Sequence, residues 1–315
     1  MTNRPAFDDI EAAADRIKDH VRRTPCLRTR FIKQPVHDGP LMLKLECLQV
    51  TGSFKARGAS NALLQTDGPT LERGVITASG GNHGLAVAYA AHAAGSRATV
   101  YLPESAPPAK AEKLRQWGAE VVIEGAVFDE ANVAALERAE RDGMAYLHPF
   151  NDPHVIAGQG TAGREMMKQS PEIDVILVAI GGGGLISGVA IAAKAMKPDV
   201  KIIGIEAEGA PTLRASRDAG ELVTLDQINT AAGTLAPRRS DPLNFAIIED
   251  LVDDIVTVSD DAMYEAARWL WFEMGIAAEL SGAAAIAALQ SGTLNYPTDA
   301  TVAAIVCGSG RDGID

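Results

Sequence analysis

The sequence predicts an α/β protein in which mostly parallel strands are covered by helices. Three observations carry that prediction. Short apolar runs alternate with helix-periodic segments at a spacing of about 25 residues, the pattern of repeated βα units. Two glycine-bearing loops, 79–84 and 181–184, each join the end of an apolar run to the start of a helical one. The composition, 47% hydrophobic with 5% aromatic residues, suits helices packed closely on sheets.

Residues 7–21 carry Ile10, Ala13, Ala14, Ile17 and Val21 at helical spacing, and the Pro25 region ends that helix. Residues 41–46 form a short strand, and a helix follows over 54–65. The next units are strand 75–78 with helix 85–94, strand 98–102 with helix 110–117, and strand 120–123 with helix 128–141. Strand 144–148 closes this run. A helix covers 155–168, then come strand 174–180, helix 186–196, strand 200–206 and helix 211–219. Residues 222–240 have no regular pattern. Strand 255–258, helices 260–274 and 281–289, and strand 301–306 complete the chain.

The 315 residues suit one large or two modest domains. A net charge of −12 argues against nucleic acid as a main partner. The three cysteines, Cys26, Cys47 and Cys307, are odd in number and lack metal-ligand spacing, so no disulfide framework is expected. No apolar run is long enough to span a bilayer, and the first ten residues hold no apolar signal region. The expectation is a cytoplasmic protein with no membrane partner.

Four groups of residues point to chemistry. Lys55 stands among Gly52, Ser53, Phe54 and Ala56. Packed there, it would lose hydration of its charged form and become a nucleophile toward an aldehyde; otherwise it is a solvated loop lysine. Gly181, Gly182, Gly183 and Gly184 lie between a strand and a helix, where backbone N–H groups and the helix dipole suit a phosphate. A tight turn is the plainer reading. A dinucleotide site is the competitor, with Glu206 as the ribose contact, but Ser187 stands where its third glycine belongs. Ser79, Gly80, Gly81, Asn82 and His83 again join a strand end to a helix start, which suits a carboxylate or a simple N-cap. His83 reads as catalytic or as a structural hydrogen-bond former. Cys307 ends a strand, where open α/β sheets bind ligands, though a buried free cysteine is usually inert packing. Asn151 and Glu279 read alone as ordinary polar residues.

Together the stretches GSFKARGA, SGGNHG, HPFNDPHVIAGQGT, GGGGLISG, ELSGAAA and VCGSG, in this order, resemble the fold type II pyridoxal-phosphate enzymes, and most of all the threonine/serine dehydratase group that includes serine racemase. The resemblance runs over nearly the whole chain. It implies two open, twisted, parallel-rich sheets flanked by helices. It also implies a large cofactor-binding domain of residues 1–53 and 149–315, with a small α/β domain, 54–148, inserted in it. No regulatory extension is expected after the catalytic region, and a homodimer is expected.

The resemblance implies that Lys55 holds pyridoxal 5′-phosphate as a Schiff base with Phe54 beside the ring. Asn82 would meet the phenolate oxygen, Gly181 to Gly184 with Leu185 the phosphate, and Cys307 the pyridine nitrogen. Ser79, Gly80, Gly81, Asn82 and His83 would bind the substrate carboxylate, and Asn151, Gly233 and Glu279 would lie nearby. The implied reaction is β-elimination of water from L-threonine or L-serine, giving a 2-oxo acid and ammonia. The alternatives are dehydration of 3-hydroxyaspartate or phenylserine, a serine racemase-like activity, and a non-catalytic cofactor-binding protein. Two departures matter. Racemase relatives place a serine directly before the Gly-Asn-His triplet, where this chain has Gly80. Metal-dependent relatives complete a divalent site with an aspartate; Glu206 and Ala210 match its first two positions, but the third is Thr212. With that ligand missing, no metal is expected.

Overall fold

The computed structural model describes residues 4–106 and 108–314. Helix α1 (Phe7–Ile17) has Asp8 and Asp9 in its first turn, where the helix dipole favours them, and buries Ile10, Ala13 and Ile17. It stops short of the predicted end because the N–H groups of His20 and Val21 both turn back onto Ile17 O. Strand β1 (Cys26–Arg28) pairs antiparallel with β2 (Leu41–Lys44). Three residues are too few to show a period, so β1 is invisible in the sequence.

After β2 the chain passes into α2 (Lys55–Leu63) and the short α3 (Gly68–Arg73). Then follow β3 (Val75–Ala78), α4 (Asn82–Ala93), β4 (Ala98–Leu102), α5 (Pro108–Gln116), β5 (Glu120–Ile123), α6 (Phe128–Asp142) and β6 (Ala145–Tyr146). Helix α4 begins three residues earlier than predicted, directly at Asn82. The second run is α7 (Pro153–Gln169), β7 (Val175–Ala179), α8 (Gly184–Met196), β8 (Lys201–Ala207) and α9 (Thr212–Ala219). Helix α10 (Pro242–Leu251), strand β9 (Asp254–Val258), helices α11 (Asp260–Met274) and α12 (Leu280–Gln290), and strand β10 (Val302–Ile305) end it.

The strands make two sheets. One has the order β5-β4-β3-β6 and is wholly parallel; the other has the order β1-β2-β10-β7-β8-β9 and is parallel except for β1. This is the predicted α/β class with two parallel-rich sheets. Alternate residues of the smaller sheet face opposite layers. Val100 and Leu102 pack with Leu85, Val87 and Leu114, while Ile76, Ala78 and Tyr101 pack with Ala131 and Ala135 of α6. The larger sheet buries β7, β8 and β10 between α8 and α12, so those strands are apolar on both sides. Among the described residues no helix is long and apolar enough to cross a membrane.

Candidate active site

Lys55 is the first residue of α2, and its half-buried side chain reaches back toward the 149–151 segment. Its Nζ donates to Pro149 O at 2.7 Å and lies 5.1 Å from the centre of the Phe54 ring. Burial lowers the Lys55 pKa to about 8, against the pull of Cys307 and Glu279. Cys307 adds little of that pull, because burial pushes its own thiol well above the ordinary range and keeps it neutral. The neutral fraction of the amine therefore rises through pH 8 instead of near 10.5. The apoprotein should accordingly capture an aldehyde such as pyridoxal phosphate faster as pH rises from 6 to 9, with an inflection near 8. Stopped-flow absorbance would check this; a flat profile across that range would contradict it.

The backbone ties this lysine to the last strand of the larger sheet. Phe54 N–H donates to Cys307 O at 3.2 Å, and Ser309 N–H donates to Gly52 O at 2.8 Å. The Cys307 thiol donates to Ser281 O at 3.4 Å. Facing it is the start of α4. Leu85 is the first N–H there to close, on Gly81 O at 3.3 Å, so the N–H groups of Asn82, His83 and Gly84 lack helical acceptors. Ser79 Oγ accepts from Gly81 N–H at 3.3 Å and folds the loop.

His83 is buried, and burial with Lys55 nearby lowers its pKa to about 3. The ring is therefore neutral; its Nε2–H donates to Leu147 O at 2.9 Å, leaving Nδ1 buried with no partner among the described residues. A neutral imidazole fixed to a backbone carbonyl favours the structural alternative for His83 over the catalytic one.

Asn82 does not stand alone. Its Nδ2 donates to Glu279 Oε1 at 2.8 Å, Ser281 Oγ donates to the same oxygen at 2.5 Å, and Thr234 Oγ1 donates to Ser281 Oγ at 2.8 Å. Thr234 follows Gly233 in a helical turn (Gly233–Leu235) that exposes both of them and buries Leu235, and Thr234 O lies 2.8 Å from where a Cβ on Gly181 would stand. Loop 230–236 thus touches the glycine run on one side and approaches Gly81 on the other.

In the glycine run, Gly183 adopts φ +95° and caps α8, a conformation that side chains resist. Ser187 N–H is the first to close, on Gly183 O at 2.9 Å, which leaves the N–H groups of Gly184, Leu185 and Ile186 without helical acceptors. The Phe150 ring lies so close to Gly182 that a Cβ there would run into it. Phe150 is held in turn by Asn244 Nδ2, which donates to its carbonyl at 3.0 Å. His148 Nδ1 accepts from the N–H groups of Phe150 and Asn151 at 3.2 and 2.7 Å. Pro149 and Phe150 therefore link the lysine to the glycine run. The structure brings Phe54, Lys55, Asn82, Glu279, Cys307 and, through this link, Gly181 to Leu185 together.

Glu206 and Ala210 are engaged with the start of α9. The Glu206 carboxylate accepts the N–H groups of Leu213 and Arg214, both at 2.8 Å, and Ala210 O accepts Thr212 N–H at 2.9 Å. Glu206 serves the start of α9 and is fully buried, which disfavours the ribose contact. Among the described residues no group of three or more His, Cys, Asp or Glu is placed to hold a metal ion.

Sequence reasoning missed what lies beneath the lysine. Arg57 is 1% exposed and holds buried Glu46 by two bonds, Nε to Oε2 and Nη2 to Oε1, both 2.8 Å. Glu165 joins Arg57 at 3.2 Å and Lys44 at 2.6 Å. Burial pushes the Glu46 carboxyl up, but Arg57 and Lys44 more than offset this and hold it ionised. The available signal was Lys44 and Glu46 interrupting an otherwise apolar strand: charges at buried positions need partners.

Residues 17–308 match the family described as pyridoxal-phosphate dependent enzyme. The chain belongs to that family. L-threonine ammonia-lyase of Thermotoga maritima is 42% identical over 283 residues, covering 90% of this chain and 70% of the relative. Among solved structures, maize serine racemase superposes with a TM-score of 0.92 at 36% identity, over 99% of this chain and 94% of its own. The threonine deaminase of T.th. superposes with a TM-score of 0.91 at 37% identity, over 97% of this chain and 98% of its own. Pyridoxal phosphate is thus this protein's cofactor, and the fold is that of these enzymes.

Proposed function

We propose that this pyridoxal-phosphate dependent enzyme removes water from L-threonine or L-serine and releases a 2-oxo acid and ammonia. The observation that supports this most is the place of Lys55, its Nζ on Pro149 O and its neighbour Phe54 tied to Cys307, in a chain 42% identical to an L-threonine ammonia-lyase. The cofactor, when bound, supplies an electron sink at the substrate's Cα. In this reading Lys55 attaches the cofactor, with Phe54 beside the ring, and later takes the Cα proton as general base. The N–H groups of Gly184 and Leu185, with the rest of the glycine run, fit its phosphate. Asn82 fits the phenolate oxygen, and Cys307, a neutral thiol, fits the pyridine nitrogen without forcing it to stay protonated. Ser79 to His83 and Asn151 would hold the substrate, its carboxylate on the open N–H groups of α4, with Gly233 close by. Residues 54–148 act as the inserted small domain, 1–53 and 149–315 as the large one.

The reading includes a cytoplasmic homodimer, for which exposed Leu27, Phe31, Trp271 and Phe272 offer apolar surface. A serine racemase is the second reading, favoured by the match to the maize enzyme. Against it stands Gly80, which carries no proton to deliver to the second face of Cα. A panel of L-threonine, L-serine, D-serine, 3-hydroxyaspartate and phenylserine, scored for 2-oxo acid and ammonia, tests both. Release from L-threonine or L-serine is expected, with D-serine formed at least about 100-fold more slowly than elimination, the factor a missing acid–base group costs. D-serine formation at a comparable rate would establish the racemase. A cofactor-bearing protein that turns over nothing on the panel would remove the dehydratase reading.

A further inference from the structure

The carboxylate of Glu279 has no evident task in elimination, yet it is tightly built in. It is the N-cap residue of α12, but its side chain makes no cap bond and turns toward Asn82 instead. Oε1 receives two donors, Asn82 Nδ2 at 2.8 Å and Ser281 Oγ at 2.5 Å. Thr234 Oγ1, 2.8 Å from Ser281 Oγ, keeps the serine hydroxyl turned that way. A Cβ on Gly308 would run into Oε1, and one on Gly310 would stand 2.6 Å from Glu279 Cα, so these glycines box the side chain in. The chain of donors crosses from the larger sheet's loops to the first residue of α4.

We propose that Glu279 is the positioning residue for Asn82: by accepting one amide proton it fixes the carboxamide plane and leaves the other proton directed away from it, toward the oxygen that Asn82 meets. An asparagine amide can rotate about its last torsion and present either its oxygen or its nitrogen. Only the nitrogen can donate to a phenolate; the oxygen would repel it. The oxygen Oε1, fixed as an acceptor by the Ser281 hydroxyl that donates to it and by Thr234 behind that serine, selects the productive orientation. Among the described residues the Asn82 side chain makes no other hydrogen bond, so Glu279 alone sets it. Burial raises the Glu279 pKa, and a protonated acid still accepts through its carbonyl oxygen, so the role rests on the acceptor and not on charge. This inference rests on the proposed role of Asn82 toward the cofactor.

The test uses the full chain reconstituted with pyridoxal phosphate, reading the visible absorbance band of the bound cofactor, its pH titration and the cofactor dissociation constant. Asn82→Ala and Glu279→Ala should shift the band alike and weaken cofactor binding about tenfold, roughly the value of one hydrogen bond to a charged oxygen. The double variant should match either single one. Glu279→Gln keeps an acceptor oxygen and should resemble the parent. Thr234→Val, on an exposed residue, should produce a smaller shift in the same direction in a protein that folds normally. A shift in Asn82→Ala with none in Glu279→Ala would overturn the inference while leaving the cofactor role of Asn82 intact. Additive shifts in the double variant, or a Glu279→Gln variant as impaired as Glu279→Ala, would also overturn it. No shift in Asn82→Ala would remove the cofactor role of Asn82 and this inference with it.

Discussion

Lys55→Ala should release ammonia from L-threonine or L-serine at least about 1,000-fold more slowly than the parent, because the variant loses both the attachment point and the general base. The effect is chemical and not structural. Among the described residues the Lys55 side chain makes one hydrogen bond, to Pro149 O, and its Nζ stands 5.1 Å from the centre of the Phe54 ring. Neither contact is needed to hold α2, which is fixed by its buried face from Ala56 to Leu63. Alanine is also the best helix former for the first turn. The variant should therefore unfold within about 1 kcal/mol of the parent while losing the absorbance of covalently held cofactor. Ammonia release within tenfold of the parent would overturn the assignment of Lys55. Loss of folding would show that the lysine is structural.

The largest stability loss should come from a residue two places further on. Arg57→Ala leaves Glu46, which is 0% exposed, with neither its forked partner nor water. Removing one partner of a buried pair costs about 3–5 kcal/mol, since the remaining charge stays in a poor dielectric. Glu165 and Lys44 would keep each other at 2.6 Å, but neither bonds to Glu46. The Thr24 hydroxyl, which donates to Glu46 Oε1 at 2.5 Å, is the one side-chain hydrogen bond left to it among the described residues, with the more distant charge of Lys44. The denaturant midpoint should fall with the slope unchanged. A loss under about 1 kcal/mol would mean that the carboxyl takes up a proton at little cost, and that the cluster is not what fastens α2 to β2.

Much of this arrangement was readable in advance. The alternation of apolar runs with helical segments made the strands of the smaller sheet legible, most plainly β3 and β4, which are buried throughout and so leave short apolar runs. Lys55, Asn82 and the glycine run were legible because each requires a rare local composition. Helix α10 was missed although Asp241, whose side chain accepts from Leu243 N–H, and Pro242 form a standard N-cap and first-turn pair. The pull of the irregular stretch before it hid the signal. Ser281 and Thr234 were beyond reach. A hydroxyl in an alanine-rich helix and one in an exposed turn acquire meaning only when three segments, far apart in the chain, converge on one carboxylate. Phe150 is similar: what it does depends on a glycine distant in the chain.

The strand order also fixes when this protein can start to work during its synthesis. The smaller sheet is drawn from one continuous stretch, residues 75–146, so its pairings can form as soon as that stretch has left the ribosome. The larger sheet cannot. Strand β2 lies between β1 and β10, so Leu41 must wait for Val302 before its second edge is covered. Lys55, on the helix that follows β2, is anchored to Cys307 through the backbone of Phe54. A nascent chain therefore carries the nucleophile early but lacks the wall that orients it until Cys307 has emerged. Ordered capture of the cofactor thus waits for residues 302–309, whatever is made before them.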